Sequence, residues 1–362
     1  MRVAAPGDSA PPVAINGRAA ARAEIGGVER LAREMAQRLP ALRPDRYQVL
    51  WPLPRLAHRA GHAWEQFALP LRAGGCRLMY SPANLAPVLS RKNVVVIHDL
   101  AALRHPEAYS AVYVGYQRRI LPVLARQARL VITVSEFSRQ ELIDLLGVDA
   151  ERIRVVPPGV DDRFRPGVDS GPARARFALA RPYVLSVGTA SARKNLPALE
   201  AIARALGEHG IELVLAGSDR SYMRGAGTSL RRLGYVEDDL LPGLYAGARA
   251  VVLPSLYEGF GLPCLEAMAA GVPVVASSSG ALPETVGEAG LIADGPDLAA
   301  AVLTAACDPG VADVLSAAGA RRATEFPWSR TATLTDEAIG ELLDAPVRSH
   351  RSEQAAIGLR RS

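Results

Sequence analysis

Short apolar runs alternate along the chain with stretches whose apolar residues recur at helical spacing. In the first half the runs are PVAIN, YQVLW, RLMYSP, VVVIHD, LVITVS and IRVVPPG. In the second they are YVLSVG (183–188), IELVLAG (211–217), AVVLPS (250–255), VPVVAS (272–277) and GLIAD (290–294). Between them lie segments such as KNLPALEAIARALGEHG and GLPCLEAMAAG, patterned as helices. This rhythm predicts an α/β protein with parallel sheets and crossover helices. It is interrupted at GVDDRFRPGVDSGPARARF, where Pro, Gly and charges cluster and no period holds. Two doubly wound domains are therefore expected, residues 1–170 and 178–326. The final APVRSHRSEQAAIGLRRS has no core pattern, and 346–362 are expected to be a loose tail.

Length agrees with two domains, since 362 residues exceed what one core usually serves. The 49% hydrophobic and 22% charged fractions are those of a globular protein. No uninterrupted apolar run approaches a membrane span, and MRVAAPGDSAPP has no apolar signal core, so neither a spanning helix nor Sec export is expected. Cys76, Cys264 and Cys307 show no disulfide or zinc spacing, which favours a cytoplasmic location.

Charge is unevenly placed. Residues 1–175 hold 25 Lys and Arg against 16 Asp and Glu, a net of +9, and the remainder, 17 against 21, carries −4. Aromatics are only 5% and do not interleave with a basic run, so nucleic acid is not the expected partner. An anionic membrane surface, a pyrophosphate-bearing ligand and a merely solvated Arg-rich face all fit.

In doubly wound sheets, ligands bind beyond the carboxyl ends of the strands. Gly26 and Gly27 follow the first strand and open a helix, where free amides and the helix dipole favour an anion; a flexible loop would also carry two glycines. The pair is not a GxGxxG, and no acidic residue closes the second strand, which disfavours a nicotinamide dehydrogenase. Arg193 and Lys194 follow YVLSVG, and such a pair suits a diphosphate or simply an exposed loop. YEGFGLPCLEAM sets Glu258 before a helix and Glu266 one turn inside it. The amides of Gly259, Phe260, Gly261 and Leu262 can face an anion there, while the two carboxylates suit neutral sugar hydroxyls. His98 and Asp99 end VVVIHD, where they could hold a substrate hydroxyl and accept its proton or serve as structural caps. Ser138 and Glu141 have capping-box spacing. No Asp-x-Asp stands at a strand end, so the cations are expected to replace a divalent metal.

With these residues in place, the chain resembles glycosyltransferase family 4, most strongly over SVGTASARKN, LGYVEDDLLPGLYAGARAVVLPSLYEGFGLPCLEAMAAGVPVVAS and SSGALPETVGEAGLIAD. The resemblance is moderate over IGGVERLAREM, VVVIHDL, VITVSEFSRQELI and IRVVPPGVD. It implies the GT-B fold, two facing Rossmann-like domains with an interdomain cleft, and retaining transfer of a sugar without a metal or other cofactor. On matching residues it implies that Arg193 and Lys194 bind the donor diphosphate and that Glu266 holds the ribose. It places Glu258 near the transferred sugar, Gly27 by the diphosphate, His98 on the donor sugar and Val236 against the base. FPWSRTATLTDEAIGELL, with Trp328, resembles a helix (327–344) that crosses back onto the amino-terminal domain.

WEQFALP, SPANLAP and IHDLAALRHPEAYS look most like the branch that moves mannose, rhamnose or related hexoses in bacterial surface-polysaccharide synthesis. The implied donor is a nucleoside-diphosphate sugar such as GDP-mannose or a UDP- or dTDP-sugar, and the acceptor a saccharide, often lipid-linked. Peripheral contact with an anionic inner membrane face is then expected through Arg118, Arg119, Arg126 and Arg129. A sugar-nucleotide epimerase of the same fold and a non-catalytic sugar-nucleotide-binding subunit are the rival readings.

Overall fold

The computed structural model describes residues 11–53, 61–218, 222–224 and 227–344. The expected tail, 346–362, lies outside the described residues, as do the first ten.

The amino-terminal lobe holds strands β1 (Val13–Asn16), β2 (Tyr47–Leu50), β3 (Leu78–Ser81), β4 (Asn93–Val96), β5 (Leu130–Thr133) and β6 (Ile153–Val155). The carboxy-terminal lobe holds β7 (Tyr183–Val187), β8 (Glu212–Ala216), β9 (Arg231–Gly234), β10 (Ala250–Leu253), β11 (Val274–Ala276) and β12 (Leu291–Ile292). The sheet orders are β2-β1-β3-β4-β5-β6 and β12-β11-β10-β7-β8-β9, and every pair is parallel. Counted from β7, the second sheet has the 3-2-1-4-5-6 order of a dinucleotide-binding fold. Strand order reverses between β1 and β3 in one lobe and between β7 and β10 in the other, which marks where each sheet opens a crevice.

The apolar runs became strands because Val13, Ile15, Val94, Val96, Val184, Val251 and Val274 are buried between covering helices. β9 was not expected. Its sequence, Arg-Arg-Leu-Gly, has no apolar run, and it pairs only on one side, at the edge of its sheet.

Six helices matter for the site: α1 (Gly27–Leu42), α2 (Ala111–Gln127), α3 (Glu136–Leu146), α4 (Leu196–Glu208), α5 (Leu262–Ala269) and α6 (Trp328–Asp344). α6 returns to the amino-terminal lobe. Its Asp336 accepts from Tyr47 Oη at 2.6 Å and pairs with Arg46 at 2.7 Å, and its Thr335 Oγ1 reaches Met35 Sδ on α1 at 3.8 Å.

The expected capping box of Ser138 and Glu141 is corrected. The cap of α3 is Ser135, whose Oγ accepts from Ser138 N at 3.0 Å, while Glu141 is drawn away to Arg104 at 2.7 Å. Ser135 and Ser138 instead join the lobes. Ser135 Oγ donates to Gly259 O at 2.6 Å, and Ser138 Oγ lies 3.1 Å from His98 O and 3.2 Å from Gly259 O. The free amides of Glu136 and Phe137 at the start of α3 donate to the Glu284 carboxylate of the opposite lobe, at 3.0 and 3.3 Å.

Candidate active site

The facing switch points enclose two adjoining cavities of about 230 Å³ each, which share Gly27 and Pro263. The first is lined by His98 and Asp99 after β4, by Gly27 at the head of α1, and by Glu258 through Leu262 ahead of α5. The second is lined by Gly26, Gly27, Arg193, Lys194 and Val236, together with Gly188, Thr189, Gly217 and Ser218 after β7 and β8.

Glu258 is held at the switch point by both cations. Its Oε1 is 2.6 Å from Lys194 Nζ, and its Oε2 is 3.1 Å from Arg193 Nη1. Burial alone would raise the Glu258 carboxyl, but Arg193 and Lys194 outweigh it and bring it down to about 2. Burial pushes the Lys194 ammonium below its ordinary value despite Glu258, whereas Glu258 raises the Arg193 guanidinium against the same penalty. Arg193 Nη1 also donates to Tyr257 O, while its buried Nε has no hydrogen-bond partner among the described residues. A buried donor without a partner at a cavity wall is poised for an oxygen ligand. Gly188 makes this arrangement possible: a Cβ there would stand 2.4 Å from Lys194 Cε.

Both helices start behind a glycine, in different conformations. α1 begins at Gly27 behind an extended Gly26, whose amide donates to Glu29 Oε2 at 3.0 Å. α5 begins at Leu262, as expected from sequence, behind Gly261 with φ 99°. The Phe260 ring packs edge-on against Phe326, with centroids 5.9 Å apart.

His98 Nε2 lies 3.0 Å from Pro82 O, an atom that can only accept, so this nitrogen carries the proton. Burial lowers the His98 pKa, and the neutral ring then keeps Nδ1 as an acceptor. Asp99 Oδ1 accepts from Ala101 N at 3.0 Å, the capping contact, while the residue also lines the first cavity. The capping reading is thus present, and the side chain also stands beside the first cavity.

Glu266 is the residue the cleft does not expose. It is 4% accessible and lines neither cavity. Its Oε2 accepts from Tyr245 Oη at 2.8 Å, and its Oε1 is 3.5 Å from Arg30 Nε across the lobes. Arg30 also holds Asp238 at 2.7 Å, and Arg163 holds Asp238 at 2.8 Å. Burial pushes the Glu266 carboxyl above its ordinary value, against the pull of Arg30. Arg30, Tyr245 and Asp238 were not singled out in the sequence; Arg30 lies one turn beyond Gly27, which is the only signal that pointed there.

A third cavity, of about 380 Å³, opens in the amino-terminal lobe between Arg18, His62, Asn84, Tyr113, Tyr116 and Gln117, with Tyr222 from the opposite lobe. It adjoins the first through Val28, which lines both, and through Asn84 Oδ1, which accepts from His98 N at 2.8 Å. Gln117 is 2% exposed, yet its Oε1 has no hydrogen-bond partner among the described residues. Nothing in the sequence pattern separates these polar residues from ordinary surface ones. Among the described residues no group of three or more His, Cys, Asp or Glu is placed to hold a metal ion.

Two facing parallel sheets with a cleft between them are the GT-B fold, and the solved structure of sucrose-phosphate synthase from Thermosynechococcus elongatus superposes on it. The TM-score is 0.71 over 93% of this chain and 100% of that one, at 23% identity. Residues 181–308 match the family described as glycosyl transferases group 1, and residues 76–164 match glycosyltransferase family 4. The O-antigen chain mannosyltransferase B of Escherichia coli is 35% identical over 306 residues, 78% of this chain and 77% of that protein. The MMP alpha-(1->4)-mannosyltransferase of Mycolicibacterium hassiacum is 35% identical over 62% of this chain and 56% of its own length. The chain thus spans little more than half of that second relative. It belongs to glycosyltransferase family 4, and it is a glycosyltransferase.

Proposed function

We propose that the cleft binds a nucleoside-diphosphate hexose and transfers the sugar, with retention, to a hydroxyl of a saccharide or lipid-linked saccharide in surface-polysaccharide synthesis. The observation that carries the reading is the Glu258 carboxylate clamped between Arg193 and Lys194 where the two cavities meet. The diphosphate lies in the second cavity, against Arg193, Lys194 and the amide of Gly27, the expected use of the Gly26 amide being corrected because it is already given to Glu29 Oε2, with the base toward Val236. The sugar lies in the first cavity, beside Glu258, His98 and the backbone of Gly259–Leu262, and the acceptor enters from the third. Glu266 holds the ribose after Arg30 yields it. Mannose from GDP-mannose is the favoured donor, on the names of the two mannosyltransferase relatives, with UDP- and dTDP-hexoses as the other donors to test.

The bond from the anomeric carbon to the phosphate oxygen breaks, and its electron pair stays on the phosphate. The acceptor oxygen bonds the same carbon on the same face, and its proton passes to the departing phosphate oxygen. Arg193 and Lys194 stabilise the charge that develops there, as a metal would elsewhere. Glu258 faces the sugar cation as a fixed negative charge. Asp99 orients the attacking hydroxyl. Exposed Arg118, Arg119, Arg126 and Arg129 on and just after α2 favour an anionic inner membrane face as the place of action. Among the described residues no single helix is long and apolar enough to cross a membrane.

The test is nucleotide release from a panel of GDP-, UDP- and dTDP-hexoses, with and without lipid-linked saccharides, with product anomers assigned by NMR. Acceptor-dependent release with retained configuration, undiminished by a chelator, is expected. Isomerised free donor without acceptor would instead identify an epimerase, binding without turnover a non-catalytic subunit, and rescue of a chelated sample by magnesium would refute metal independence.

A further inference from the structure

Three large apolar side chains stand almost free of the amino-terminal lobe: Phe67 is 69% exposed, Leu71 82% and Leu89 93%. They rim an apolar recess of about 470 Å³ floored by Pro70, Pro87 and Met79. Their exposure is built in. Trp64, Leu69, Ala73 and Met79 bury the underside of the segment, and the Gln66 amide clamps its two loops, donating to Ala86 O at 2.9 Å and accepting from Val88 N at 2.8 Å. A rigidly held, solvent-facing apolar patch marks an interaction surface.

Its charge says which partner. From Gln66 to His98 the chain has no acidic residue, while Arg72, Arg77, Arg91 and Lys92 are all cationic. Arg72, Arg77 and Lys92 give hydrogen bonds to the backbone carbonyls of Trp51, Leu343, Gly74 and Cys76, and among the described residues no carboxylate pairs with them. A second copy docking by the same face would set these cations against each other. The connections β2 to β3 and β4 to β5 both step the same way along the sheet, so right-handed crossovers put the patch and α2 on one face. His62, ahead of the patch, touches Tyr116 on α2 with ring centroids 6.2 Å apart.

We propose that this face docks on an anionic lipid surface. Phe67, Leu71 and Leu89 enter the boundary between headgroups and acyl chains, and Arg72, Arg91 and Lys92 meet the lipid phosphates. The inference rests on the lipid-linked acceptor proposed above and names the contact that would bring the enzyme to it.

The experiment compares co-sedimentation with vesicles of phosphatidylglycerol and phosphatidylcholine in equal parts against phosphatidylcholine alone. Wild type is expected to bind the anionic vesicles, keeping part of its binding at high salt. The combined variant Phe67→Ser, Leu71→Ser, Leu89→Ser should lose binding at least about 10-fold while its turnover on a short water-soluble acceptor stays at the wild-type level. Leu89→Trp should give a blue-shifted emission on anionic vesicles only. Wild-type binding by the triple variant, or no binding by wild type, overturns the proposal. So does a wild-type dimer that the triple variant disperses in sedimentation velocity. Absence of glycosyl transfer from every donor would refute the proposed function, and the vesicle readout is independent of it.

Discussion

Lys194 Nζ meets Glu258 Oε1 at 2.6 Å beneath the point where the sheet order reverses between β7 and β10. Arg193 closes the other side of the same carboxylate at 3.1 Å. The three charges form one unit in which a negative group holds two cations ready beside a cavity. On the proposed function, an arriving diphosphate would compete with Glu258 for those cations, and the Arg193 Nε, without a hydrogen-bond partner among the described residues, would let it begin before the pair opens.

Glu258→Gln keeps the shape of this unit and removes its negative charge. If the carboxylate stabilises the sugar cation, turnover should fall by about 100-fold or more while the donor KM changes far less, because a contact formed in the transition state raises rate rather than affinity. Freed cations would hold the donor at least as well. Steady-state kinetics decide it, and turnover close to wild type would remove Glu258 from this role.

The same variant separates a pH effect on stability. The Glu258 carboxyl sits at about 2 in the folded protein against an ordinary 4.5. A depressed folded value stabilises the fold fully above the ordinary value and is lost as pH falls from there toward about 2, an effect on the order of 3 kcal/mol. Wild-type thermal stability should therefore decline more steeply than that of Glu258→Gln through this window. Glu266, raised by burial, contributes in the opposite sense to both proteins and cancels in the difference. Parallel unfolding curves in the two proteins would contradict the ion-pair account.

The fold was legible wherever a strand carried its own apolar run; β9 was hidden because an edge strand of Arg-Arg-Leu-Gly buries too little to need one. Arg193, Lys194, Glu258 and His98 were legible because each follows a strand, where doubly wound sheets place ligands. Their mutual relation was not. Sequence reasoning assigned the cations to phosphate and the carboxylate to sugar, whereas the structure joins them, since side-chain pairing depends on how two loops approach in space. Glu266 shows the same limit: its spacing from Glu258 suggested a shared cleft, but Arg30 and Tyr245 hold it beneath the surface.

Arg30→Met tests that buried cluster. Arg30 is 7% exposed and binds two carboxylates of the opposite lobe. Without it Asp238 retains Arg163, but among the described residues Glu266 keeps the Tyr245 hydroxyl and the more distant charge of Arg163. Removing one member of a buried ion pair costs about 3 kcal/mol, chiefly through the charge left behind. A clearly lower denaturant midpoint is expected, and an unchanged one would show that the pair contributes nothing net.

Gly259→Ala probes the closure of the lobes. A Cβ at this position would lie 2.5 Å from His98 O and 2.8 Å from Asp99 Cβ, atoms of the facing lobe that have no flexible end to move aside. The same residue's carbonyl receives Ser135 Oγ at 2.6 Å, so pushing the loop back also breaks an interlobe hydrogen bond. The largest buried cluster runs through both lobes, so the strain is relieved by opening them at this loop against the hold of that shared core. Moving His98 and Asp99 away from Glu258 by even an ångström would lower turnover by about 100-fold. Small-angle scattering should report a larger radius of gyration for the variant. Gly207→Ala, whose Cβ meets nothing within 4 Å, serves as the control and should leave both measurements at wild type. An active, compact Gly259→Ala protein would mean that the lobes do not need this close approach.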